Sequence, residues 1–134
     1  MLDDERNDVY LHVDARAVEL FNQFKDFQLK RGKLIILQNR IAVHWGDLSQ
    51  VEVEYLLFEA ALQNGPYAYY HLLSGVDLPI KTQNYIHEFF RNMREKNLLD
   101  SGMSQAIVKM YTVKYIDIIC LLAILKRVLP LYMV

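Results

Sequence analysis

The chain has 134 residues, 53% of them hydrophobic and 23% charged, with a net charge of -1. That length makes one domain with a core of its own, and the near-neutral balance removes the electrostatic case for a nucleic-acid partner. A single cysteine, Cys120, excludes an internal disulfide and any multi-cysteine metal site.

Acidic residues follow Met1 and Leu2 at once, so no signal peptide is read at the start and a cytoplasmic location is expected. The apolar run 116–134 is broken by Asp117, Lys126, Arg127 and Pro130. A spanning helix needs about 20 mostly apolar residues, so none is predicted there. Peripheral association with the inner membrane face stays open as an alternative.

"DVYLHVD" (8–14) is a short apolar run closed by acidic residues, which predicts a buried strand. From 16 to 27 apolar residues recur at helical spacing, with one face for a sheet to cover. "KLIILQ" (33–38) reads as a second strand and "IAVHW" (41–45) as a short third one. The next helix is the clearest in the chain. Ser49 and Glu52 have the spacing of a capping box, and Gly65 with Pro66 supplies a left-handed stop. "YAYYHLL" (67–73) predicts a strand, "SGVDLP" a turn, and Thr82 caps a helix to about residue 90.

This alternation predicts an α/β fold with a mostly parallel sheet and helices on its faces. Ligands of such sheets bind outside the carboxyl ends of the strands. Asp14, Ser74 and Asp77 stand at that edge. Asp14 can accept from an imide N–H or from hydroxyls, or can simply satisfy a loop. Asp77 can bind a ligand, or can build the turn before Pro79. Trp45, before Gly46, can stack on a ring or plug the core. His12, His44, His71 and His87 show no ligand spacing, and His12 and His71 are expected to be structural. There is no GxGxxG, P-loop or GxSxG, and no DxD pair to hold a metal on a diphosphate.

Three segments together, "NDVYLHVD", "VHWGDLSQVEVEYLLFEAAL" and "YAYYHLLSGVDLPIKTQNYIHEFF", resemble the core-2/I-branching glycosyltransferase family. That family includes β-1,6-N-acetylglucosaminyltransferases and peptide O-xylosyltransferases, and the likeness is closest to bacterial members. It runs in order over residues 2–92. The resemblance implies a partial GT-A-like fold, a UDP-sugar donor, a glycan acceptor and inverting transfer with no metal cofactor. It places Asp14, Trp45, Ser74 and Asp77 on the donor side. UDP-N-acetylglucosamine is the favoured donor and UDP-xylose the runner-up. Inversion needs one carboxylate to deprotonate the acceptor hydroxyl. In the family that glutamate lies beyond the likeness, so no catalytic residue is assigned and the chain is expected to be inactive alone.

Both ends depart from the family pattern. Met1 stands directly before the family's second-strand segment, so the first β-α unit is expected to be missing. After residue 92 the family pattern is lost. Reading one consistent codon choice for 93–126 from the third base restores "GKEFIGF" and "RYHLF", both expected there. The reading is therefore a partial transferase domain at 1–92 and a frameshifted, non-native tail at 93–134. A non-enzymatic remnant, a small interaction module or a membrane-associated protein is the competing class.

Overall fold

A computed structural model describes residues 2–73, 77–93, 111–112 and 119–125. The elements in chain order are β1 (Asn7–Val13), α1 (Val18–Phe24), β2 (Lys33–Ile36), α2 (Leu48–Asn64), β3 (Tyr69–Leu73), β4 (Leu78–Pro79), α3 (Gln83–Met93), β5 (Tyr111–Thr112) and β6 (Ile119–Leu125). The main sheet has four strands in the order β2-β1-β6-β3, and β4 pairs with β5 in a separate ribbon.

All seven residues of β1 are buried. A strand enclosed on both faces also needs a ladder partner on each edge, because its amides and carbonyls have no water. On one edge β2 pairs in parallel, Val9 opposite Leu34 and Leu11 opposite Ile36. On the other β6 pairs antiparallel along the whole length, from Asn7–Leu125 to Val13–Ile119. The far edge of β6 carries β3, again antiparallel. Strands β1, β2 and β3 therefore run one way, as the sequence predicts, and β6 alone opposes them. Part of the tail expected to be non-native thus supplies an interior strand, while most of 93–134 lies outside the described residues.

Strand alternation sends successive side chains to opposite faces. On one face Tyr10 meets Val53, Leu57 and Ala61 of α2, with Leu37 and Val43 completing the cluster. On the other face fully buried Asn7 donates through Nδ2 to Gln83 Oε1 at 2.7 Å and accepts from His87 Nε2 at 3.0 Å. The Tyr69 hydroxyl donates to the Phe90 carbonyl at 2.6 Å, and Ile86 and Phe90 bury beside it. Helices thus cover both faces, the layering of a doubly wound sheet.

Several local readings are corrected. The cap of α2 is Asp47, whose Oδ1 accepts from the Ser49 amide at 2.7 Å; Ser49 instead accepts from the His44 amide through Oγ. Both residue types cap well, and the turn at Gly46, with φ of 77°, begins the helix two positions earlier. Gly65 ends α2 in an extended conformation, with a cis bond to Pro66, and not as a left-handed stop. Residues 41–44 are loop, not strand. The Thr82 cap holds, its Oγ1 accepting from the Tyr85 amide at 3.3 Å.

Leu57 is fully buried in the α2–β1 cluster. Leu57→Ala should cost about 2–5 kcal/mol in urea unfolding. Stability should also depend on acid. Burial, with the nearby His87 charge, pushes His71 from 6.5 down to about 4, and burial lowers His12 and His87 in the same direction. A base held neutral in the fold takes up protons more readily when unfolded. Stability should therefore be full above pH 6.5 and fall as pH drops towards 4, read from unfolding midpoints across that range.

Candidate donor site at the sheet edge

β1 ends at Val13, and Asp14 follows at the carboxyl edge of the parallel pair. Its side chain is turned back into the protein and 8% of the residue is exposed. Oδ1 accepts from the Arg16 amide at 2.8 Å and Arg16 Nε at 3.0 Å. Oδ2 accepts from Arg16 Nη2 at 2.8 Å and the Val43 amide at 2.9 Å. A carboxylate has about four lone-pair sites, so Asp14 is filled by its own chain. The Arg16 guanidinium and these two amides hold its carboxyl well below the usual carboxylate range.

The same strand end straps the following loop a second time. His12, fully buried, accepts the Ile41 amide at Nε2, 2.9 Å away. That bond requires the neutral ring, in agreement with the downward shift that burial imposes. Arg40 donates to the Asp14 carbonyl at 3.3 Å and lies over the Phe21 ring at 4.1 Å. Arg16 Nη2 also donates to the Val43 carbonyl at 2.5 Å. Residues 41–43, which carry the apolar pattern of a strand, are instead pinned by the side chains of His12, at the end of β1, and of Asp14 and Arg16 just beyond it.

This loop leads directly to Trp45, which is 76% exposed and does not plug the core. Asp77 is half-buried immediately before β4. Ser74 lies outside the described residues. The structure thus brings Asp14 and the segment ending at Trp45 together at one edge. Arg16 joins them as a residue that sequence reasoning missed. Its signal was the Asp-x-Arg spacing at a strand end, where one side chain can chelate the other. Among the described residues no three His, Cys, Asp or Glu side chains cluster as metal ligands, and no helix is long and apolar enough to cross a membrane.

The family model described as Core-2/I-Branching enzyme matches residues 1–119. The chain belongs to the Core-2/I-branching enzyme family. Among curated proteins it is similar to xylosyltransferase 1 of Canis lupus familiaris, 29% identical over 94 residues, covering 69% of this chain and 10% of that protein. It is also similar to xylosyltransferase 1 of Rattus norvegicus, 28% identical over 94 residues, covering 69% of this chain and 11% of that protein. The matched stretch is therefore about a tenth of the length of either relative. No solved structure matches. The mixed α/β sheet is compatible with part of a nucleotide-sugar transferase fold.

Asp14→Asn replaces an acceptor-only group by one that presents an N–H₂ towards a donor. Loss of a charge-assisted bond of this kind costs about 1.5–3 kcal/mol. The variant should unfold at correspondingly lower urea, and limited proteolysis should cut at 40–45 before any other site.

Proposed function

We propose that this chain forms the donor side of an inverting glycosyltransferase that uses a UDP-sugar, with the nucleotide lying at the carboxyl edge of β1 and β2. The observation that carries the reading is the Asp14 clamp. Four bonds to one carboxylate fix Arg16 and the 41–43 loop at the edge where α/β sheets bind ligands. Held edge-on by Asp14, the Arg16 guanidinium keeps an open face, and a planar cation of this kind stacks on aromatic rings. Exposed Trp45 offers a second stacking surface, and Ser74 and Asp77 are assigned to the same side. Asp14 itself orders this edge and is not the base, since its acceptor sites are taken.

The acceptor is a glycan hydroxyl, transfer needs no metal, and the general base lies outside the residues assigned here. The chain alone therefore binds donor weakly and does not turn it over. Membership of the family favours N-acetylglucosamine as the transferred sugar, whereas the two xylosyltransferase relatives favour xylose. Residues 93–134 are read as out-of-frame sequence, which resequencing around codon 92 tests directly. The chain acts in the cytoplasm, at or near the inner membrane face.

UDP, UDP-N-acetylglucosamine and UDP-xylose should each quench Trp45 emission saturably, with or without EDTA. The tighter of the two sugars identifies the donor. Arg16→Ala should weaken quenching by about tenfold, the loss of one stacking contact worth roughly 1–2 kcal/mol. No release of UDP from either sugar is expected. Absence of quenching by all three nucleotides would leave the non-enzymatic reading in its place.

A further inference from the structure

Helix α2 is apolar on two opposite sides. Val53, Leu57 and Ala61 face the sheet and are buried. Leu48, Val51, Tyr55 and Leu62 are 75, 43, 72 and 65% exposed. At 3.6 residues per turn these four fall within about 60° of one another, opposite the buried trio, and span about 21 Å along the axis. A surface helix normally carries charged and polar residues there, and a contiguous exposed apolar row marks an interaction site.

Beside this row runs a second one. Glu52 and Glu59 are exposed two turns apart, on the flank next to Leu48 and Leu62. The helix contains no lysine or arginine. Among the described residues the salt bridges are Arg6–Asp4 and Arg16–Asp14, and neither involves this flank. The surface thus presents an apolar stripe bordered by uncompensated negative charge.

We propose that this face of α2 docks an amphipathic helix of another polypeptide, one whose apolar stripe is flanked by lysine or arginine. Charge selects that occupant over a second copy of the chain. Antiparallel two-fold pairing of α2 with itself would set the Glu52–Glu59 row against its own copy on the same flank, and like charges brought together this way repel. A basic flank on the partner reverses the sign and gives register as well as affinity. Docking uses the side of α2 away from the sheet, and none of Leu48, Val51, Tyr55 and Leu62 is assigned to the donor site, although Trp45 serves as the reporter of both.

Trp45, the sole tryptophan, stands three residues before Leu48 and reports on this surface. The full chain is titrated with an amphipathic peptide of about 18 residues, long enough at 1.5 Å per residue to cover the row. The peptide has leucine at i, i+3 and i+4 spacing and lysine along one flank. A matched peptide carries glutamate in place of lysine. The lysine peptide should shift Trp45 emission to the blue saturably, with an affinity that falls as salt is raised. Tyr55→Asp should weaken it about tenfold or more with an unchanged far-ultraviolet circular dichroism spectrum, and Glu52→Gln with Glu59→Gln should flatten the salt dependence. Equal binding of the two peptides, indifference to Tyr55→Asp, or no binding of either overturns the proposal. So does sedimentation of the chain as a dimer that Tyr55→Asp dissolves, which would assign the face to a second copy. Failure here leaves nucleotide quenching untouched, because Arg16 and the Asp14 clamp are not altered.

Discussion

The carboxylate of Asp14 is the contact on which the arrangement of the candidate site depends. It takes the residue after a buried strand and ties to it a side chain two positions on and a backbone amide 29 residues away. Without it, Arg16 would be a solvated surface cation and residues 41–43 would lose one of the anchors that hold them against β1. Strand β1 contributes the second anchor through His12. A single interior strand therefore sets both the floor of the site and the path of the loop that leads to Trp45. The cost is that the acceptor sites of Asp14 are taken by its own chain.

A related constraint acts on the sheet. Strands β1 and β3 run in the same direction but are not paired with each other, and β6 closes the gap between them in the opposite sense. Backbone groups buried in a gap of that width have no other partner, so the pairing follows from the need to satisfy β1 on its second edge. Antiparallel pairing is available to any extended apolar segment of matching length. The stretch Ile119–Leu125, unbroken by charge, meets that requirement.

Much of this was legible in the sequence, for reasons that differ from element to element. Strand β1 was readable because it is a dense apolar run between acidic residues, and α3 because Thr82 precedes a periodic pattern. The existence of α2 was equally clear. Its start was not, since Asp47 and Ser49 are both good caps and only the turn at Gly46 decides between them. Residues 41–44 misled because an apolar, β-branched run looks the same whether its amides bind a neighbouring strand or the side chains of His12 and Asp14. Asp14 was placed correctly at the sheet edge, whereas its occupation by Arg16 required three-dimensional geometry that sequence spacing only hints at. The slot taken by β6 was illegible, because nothing local in a carboxyl-terminal apolar run names the strands it will pair with.

The central claim is that the strand end, and not the loop's own conformation, fixes the edge of the site. Amide hydrogen exchange read residue by residue tests it most directly. The Ile41 and Val43 amides, held by His12 and Asp14, should exchange as slowly as the amides of β1 and far more slowly than those of Trp45 and Gly46. If Ile41 and Val43 exchange at the rate of an open loop while β1 stays protected, the clamp does not exist in solution and the site built on it falls.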